Sequence, residues 1–154
     1  MKLFRGLSRT VDLPAIGTLF YRLNVNRPVI GMMARGHVYD DPAWLTRRRL
    51  AEKLLVTEAS GARFASFRFV AGELDPFQER DAFLAAAGRV KTPVQVIYAG
   101  RAPRKSKAEM TALTALANVQ ASEVRAGKLA VHEEHPDVVA PLVTAFLQGS
   151  LAGR

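Results

Sequence analysis

The sequence predicts an α/β fold in which a helical segment, residues 1–88, precedes a parallel β-α-β unit and a final helix. Three observations predict this fold. Apolar side chains recur at helical spacing through residue 88. Two short runs with β-branched residues then flank a helical pattern, which is the order of parts in a parallel β-α-β unit. Finally, apolar residues recur in pairs four positions apart over residues 135–149.

The first half of the chain is expected to form helices that begin at Asp-Pro pairs. Asp41 before Pro42 and Asp75 before Pro76 have the residue types of a helix cap followed by the first helical position. Gly88 is a typical residue after a helix end. The predicted helices are 13–23, 27–38, 40–55, 61–74 and 75–88.

The pattern changes near residues 88–92. "TPVQVIYAG" (92–100) predicts a strand buried on both faces, and "NVQASEV" (118–124) predicts a second, weaker strand. Between them, residues 106–117 predict a helix that starts with a capping box made by Ser106 and Glu109. The crossover between the two strands is expected to be right-handed.

A loop containing His132 follows the second strand, and it leads to the helix predicted over 135–149, which Pro141 could kink. The change of pattern divides the chain into a helical region, 1–88, and a β-α-β-α region, 89–154.

The composition excludes several kinds of site. The chain has 154 residues, 49% of them hydrophobic, which suits a modest globular core. The absence of cysteine excludes disulfides, thiolate catalysis and cysteine-ligated zinc, and it fits a cytoplasmic protein. Three scattered histidines predict no metal site, and nothing points to a cofactor. No apolar run approaches the roughly 18 residues of a membrane span.

The net charge of +8 is concentrated in the first half of the chain. Residues 1–70 hold 12 Lys/Arg and 5 Asp/Glu, a difference of +7, whereas later residues hold 10 and 9, a difference of +1. Such a basic half could attract nucleic acid, but no nucleic-acid motif accompanies it, so a solvated arginine-rich surface is the favoured interpretation. A non-catalytic interaction or binding protein that uses this arginine-rich helical half stays open as an alternative function.

The order of these parts resembles the C-terminal part of an α/β-hydrolase. "TPVQVIYAG", a helix, a second strand and "HEEHPDVVAPLVTAFL" are similar to that family's last two strands, histidine loop and closing helix. The resemblance implies that residues 1–88 are a helical cap and that His132 is the base of a serine-histidine-acid hydrolase acting on an ester or similar bond. Glu133 and Glu134 are then residues that lead into the last helix.

Two parts of such an enzyme have no match in the sequence. The chain contains no G-x-S-x-G turn, because "GLSRT" around Ser8 lacks the second glycine. Arg101 and Arg104 occupy the turn where the family often carries its acid, and Asp75, Glu109 and Glu123 are not at that place. We therefore expect the rear portion of an enzyme, inactive alone, from a truncated or split gene or a deliberately shortened chain.

The resemblance also implies partners. The complete enzyme would take a small apolar substrate, and the missing N-terminal half could be a separate chain. Without that half, the predicted first strand keeps an unpaired edge that would favour self-association and poor solubility. The candidate lining of an apolar substrate site is Phe20, Tyr21, Met32, Met33, Trp44, Phe64 and Phe67, although core packing is the favoured interpretation for each of them, since apolar stripes of helices usually face inward.

Overall fold

A computed structural model describes residues 12–152 and shows a mixed α/β fold, mostly helical, with a two-stranded parallel sheet. The chain divides into two compact units. The first comprises the described residues up to Met32 together with Leu45–Glu79. The second comprises Met33–Trp44 and the described residues from Arg80 onward. No helix among residues 12–152 has the length and apolar character needed to cross a membrane.

The first unit is built from short helices. Tyr21 and Leu54 are buried, and the Phe67 ring lies 5.2 Å from Phe20 and 6.2 Å from Tyr21, centroid to centroid. These aromatic contacts join the first helix to the fourth. In chain order the elements are α1 (Pro14–Asn24), α2 (Arg27–Met33, whose last residue belongs to the second unit), α3 (Arg47–Leu55), a 3₁₀ turn (Val56–Glu58) and α4 (Ala62–Val70).

The second unit contains the sheet. Its elements are a π-helical turn (Ala34–Val38), α5 (Arg80–Ala87), β1 (Val94–Ala99), α6 (Arg104–Thr114), β2 (Val119–Val124), α7 (Val131–Glu134) and α8 (Pro136–Ala152). The predicted β-α-β order is therefore confirmed. By their contacts, residues 33–44 and 80–88 group with the strands, whereas the sequence pattern changes near residues 88–92.

β1 and β2 pair in parallel from Val94 opposite Val119 to Ala99 opposite Val124. The Val94 amide donates to the Asn118 carbonyl at 3.2 Å, so the amides of the even-numbered residues of β1 point toward β2. Because amide directions alternate along a strand, the amides of Gln95 and Ile97 point to the opposite edge of β1. No third strand lies at that edge among residues 12–152.

A small apolar cluster holds the second unit together. Ala99, Val124 and Val131 are buried in it, and Ile97, Val139 and Leu142 pack against it. The rest of β1 is only half-buried, so the prediction of a strand buried on both faces is wrong. α6 contacts both strands and α8 contacts β2, but two helices leave part of a narrow sheet exposed.

The Asp-Pro pairs do not start helices. The Asp41 side chain accepts a hydrogen bond from the Ala43 amide at 2.8 Å, and Asp75 accepts one from the Phe77 amide at 2.8 Å. No helix follows directly after either aspartate, so each of these bonds closes a turn instead of capping a helix. α3 begins at Arg47, where the Thr46 hydroxyl accepts from the Arg49 amide.

The predicted capping box is also wrong. α6 begins at Arg104 after Pro103, two residues earlier than expected, so Ser106 lies inside the first turn. Glu109 instead accepts two hydrogen bonds from the Arg80 guanidinium of α5, at 2.8 and 2.6 Å. This bidentate pair joins α5 to α6.

The final helix is longer than predicted and less buried. α8 extends from Pro136 to Ala152 with Pro141 inside it. Of the predicted apolar pairs, Val139 and Leu142 pack against the sheet, whereas Val138 and Leu147 are exposed.

Candidate functional site

His132 lies in α7, a single helical turn beside the carboxyl ends of both strands. Val131, the residue before it, is buried against Ala99 and Val124, which are the last residues of β1 and β2. This packing fixes the backbone of the turn, while 65% of the His132 side chain is exposed. The sequence predicted a loop here, and the structure places a short helix at the predicted end of the sheet.

Gly127 lets the chain turn from β2 into the His132 helix. Its φ is 83°, a conformation that side chains with a Cβ rarely adopt. A Cβ built at this position would lie 2.9 Å from Val131 Cγ2. The glycine therefore permits the close approach that buries Val131.

The imidazole of His132 has no hydrogen-bond partner among residues 12–152. Its closest charged neighbour is Glu133, with 3.9 Å between Nε2 and Oε1, which is too long for a hydrogen bond. A catalytic histidine needs an acid that orients one ring nitrogen and a nucleophile near the other. Neither group is in contact with His132 in the described part of the chain.

The two glutamates after His132 bind the segment Val38–Asp41 instead. Glu133 Oε2 accepts from the Tyr39 hydroxyl at 3.0 Å. Glu134 accepts from the backbone amides of Asp40, at 2.9 and 3.0 Å, and of Asp41, at 2.8 Å. They lead into α8 as predicted, but their carboxylates hold a segment more than ninety residues away in sequence.

Further contacts hold this segment and the residues on either side of it. The Ala130 amide donates to the Val38 carbonyl at 3.0 Å, and Lys128 donates to the Gly36 carbonyl at 3.2 Å. Tyr39 is 1% exposed and stacks on Trp44 at 4.5 Å between centroids. These contacts, with those of Glu133 and Glu134, form what we call the glutamate clamp.

The acids that could have served His132 are paired elsewhere. Lys107 donates to Glu123 at 2.8 Å and lowers the pKa of that carboxyl, chiefly through this hydrogen bond. The hydrogen bonds from Arg80 likewise lower the pKa of Glu109. Arg101, at the turn after β1, forms an ion pair of 2.9 Å with Asp40.

No serine among residues 12–152 forms a hydrogen bond with His132. Ser8 lies outside the described residues. Ser150 lines a cleft of about 500 Å³ together with Thr92, Pro93 and Gln120, at the amino ends of the strands. Ser150 lies 14 positions after Pro136 in α8, and since a helix rises about 1.5 Å per residue, this places it about 21 Å along the helix from the end near His132.

A second cleft, of about 730 Å³, lies within the first unit. We call it the arginine cleft, because Arg22, Arg27 and Arg63 line it. Tyr21 and Phe64, two of the residues considered for an apolar substrate site, contribute to its wall. The lining therefore differs from the apolar site that the resemblance implied. The other lining residues are Thr18, Val25, Asn26, Leu54, Thr57, Glu58, Ala59, Gly61 and Ala62.

The remaining candidates for an apolar site lie elsewhere. Phe20 and Phe67 pack on each other, Trp44 stacks on Tyr39, and Met32 and Met33 are exposed. Sequence reasoning missed the arginine cleft, although the excess of arginine in the first half of the chain was its signal. Within residues 12–152, no group of three or more acidic or histidine side chains could hold a metal ion.

No protein-family model, curated protein or solved structure shows a significant match to this chain.

Proposed function

We propose that this chain forms the rear portion of an α/β-hydrolase-type fold and supplies His132 as the base of a serine-histidine-acid mechanism. The supporting observation is the order β1, α6, β2, His132 turn and α8 around one parallel sheet. In open α/β sheets, reactive groups gather at the carboxyl ends of the strands, which is where the His132 turn packs.

His132 would take the proton from a serine hydroxyl and return it to the leaving group of an ester or similar bond. Histidine suits both steps, because an imidazole can take up and release a proton near neutral pH. The exposed imidazole is open to groups that residues 12–152 do not bring into contact with it. The nucleophile, the orienting acid and the oxyanion donors belong to the remainder of the fold.

The remainder would join at the outer edge of β1. The outward amides of Gln95 and Ile97 offer a template for another parallel strand. In this proposal the missing half pairs there, in the cytoplasm, and the small apolar substrate is enclosed only in the joined enzyme. Self-association through the same edge is expected when that half is absent.

An ester assay tests the claim that the chain is inactive alone. The purified protein, His132→Ala and His37→Ala should hydrolyse a short-chain nitrophenyl ester at the same low rate. His37→Ala is the matched control because His37 is an exposed imidazole that contributes only the background reactivity of a free side chain. Turnover that His132→Ala abolishes and His37→Ala retains would contradict the proposal.

The alternative function, a non-catalytic binding protein, does not involve His132. The arginine cleft favours it, since this site lies in the arginine-rich helical half. In that case the ester assay stays at background for every variant, and a hydrolase partner adds nothing. Repeating the ester assay with an added polypeptide that bears G-x-S-x-G separates the two functions. Only the hydrolase proposal predicts that ester turnover then appears and depends on His132.

A further inference from the structure

The arginine cleft concentrates positive charge within the first unit. Three arginines line it, and Glu58 is the one acidic residue among the lining residues, so the formal charge of these residues is three minus one, or +2. Neither Arg22 nor Arg27 forms an ion pair with any residue in 12–152, and Glu58 has none either. Like charges held close together repel one another, and a bound anion removes that cost.

A fixed corner of the backbone carries two of these arginines. Arg22 lies in the last turn of α1, and Arg27 is the first residue of α2. Between them, the Asn26 side chain donates to the Leu23 carbonyl at 2.8 Å and accepts from the Val29 amide at 3.1 Å. These bonds restrain the corner between the two helices, and with it the backbone positions of Arg22 and Arg27.

The facing wall of the cleft is held by contacts of its own. Arg63 donates to the Thr18 hydroxyl, and its guanidinium carbon lies 4.4 Å from the centroid of the Phe64 ring. The Tyr21 hydroxyl donates to the Thr57 carbonyl at 3.1 Å. These contacts already restrain the side chains of this wall, so their ordering costs little entropy when a ligand binds.

We propose that the arginine cleft binds a small molecule that carries a phosphate monoester. Guanidinium groups bind phosphate oxygens in pairs, and the dianionic charge of the ester matches the +2 of the lining. A volume of about 730 Å³ falls within the range of about 300–1,000 Å³ for small-molecule sites. The proposal is independent of the hydrolase assignment, because His132 belongs to the second unit.

Titration calorimetry with phenyl phosphate at pH 8 and low salt tests the proposal. We expect one site, weakened at least tenfold by Arg22→Ala/Arg27→Ala and unchanged by Arg47→Ala. Arg47 is the matched control: it is an exposed arginine of the same unit that lies outside the cleft. Arg22→Lys keeps the positive charge but lacks the two parallel N–H donors of a guanidinium, so it should weaken binding only in part. This variant also tests the proposal if the double variant does not fold. His132→Ala should bind as the unchanged protein does.

Two results would overturn the proposal. One is the absence of phenyl phosphate binding, or a loss that Arg47→Ala shares equally. The other is displacement of phenyl phosphate by a single-stranded oligonucleotide, if Arg47→Ala and the double variant weaken binding of the oligonucleotide equally. That result would assign the basic surface to nucleic acid.

Discussion

Glu134 makes the most specific contact of the glutamate clamp. One carboxylate binds two successive backbone amides, those of Asp40 and Asp41, and hydrogen bonds to a charged acceptor are stronger than neutral ones. Glu133 adds one bond, from the buried Tyr39. At the residue scale, the glutamate clamp therefore fixes the helical turn that carries His132 against residues 39–41.

Glu134→Gln should destabilise the second unit by about 1–3 kcal/mol, because the amide keeps one acceptor oxygen but loses the charge and presents an N–H group to backbone donors. Urea unfolding measures the change in the free energy of unfolding. Glu79→Gln is the control, since Glu79 is exposed and has no partner among the described residues. Equal stability of the two variants would show that the clamp contributes nothing.

Lys107→Met should raise the pKa of Glu123 toward its ordinary value, because the hydrogen bond from Lys107 is the largest cause of its lowering. NMR titration of the Glu123 carboxyl carbon measures this, with Lys105→Met as the exposed control. Since the pKa is lowered in the folded state, the pair stabilises the fold above about pH 4.3, the ordinary pKa of a glutamate, and this stability is lost as pH falls through the lowered pKa. An unchanged pKa in Lys107→Met would refute the assignment.

At the scale of elements, the tail of the chain was predictable and the helix starts were not. Both strands, the helix between them and the last helix follow from local apolar patterns, and these are present in the structure. Asp41 and Asp75 carry the residue types of a helix cap, yet each bonds the amide two residues ahead and forms a turn. Residue type alone cannot separate these two uses of an aspartate, because both satisfy a backbone amide.

Gly127→Ala should destabilise the turn between β2 and α7 by at least about 1–2 kcal/mol, since φ is positive there and the new Cβ would meet Val131. Gly149→Ala is the opposite case. Gly149 lies in α8, and a Cβ added there would meet no neighbouring group within 4 Å. The alanine should therefore stabilise the helix by about 0.5–1 kcal/mol. Thermal unfolding of the two variants compares them, and a stabilising Gly127→Ala would contradict the described turn.

At the scale of the whole molecule, local pattern predicts the order of elements but not the contacts between distant residues. The position of His132 beside the strand ends follows from that order. The clamp joins Glu133 and Glu134 to residues more than ninety positions away, and no local period encodes it. The arginine cleft was also hidden, because it depends on the corner between α1 and α2.

The purified chain should self-associate in a concentration-dependent manner. One cause is the edge of β1 that no strand in the described part of the chain covers. Apolar side chains exposed on α1, among them Ile16, Leu19 and Leu23, are another. Light scattering after size exclusion measures the mass. Gln95→Pro removes an outward amide while sparing the ladder to β2, so it should weaken association at least severalfold. A monodisperse, cooperatively unfolding monomer at all concentrations would contradict this expectation.

Amide hydrogen exchange along β1, measured by NMR over a range of protein concentrations, tests the incomplete sheet most directly. The account predicts protected amides at Val96 and Tyr98 at every concentration, because these face β2. The amides of Gln95 and Ile97 should exchange rapidly in the dilute monomer and become protected on association. Protection of all four in a dilute monomer would mean that the sheet edge is closed within this chain, and the proposal of a missing hydrolase half would fail.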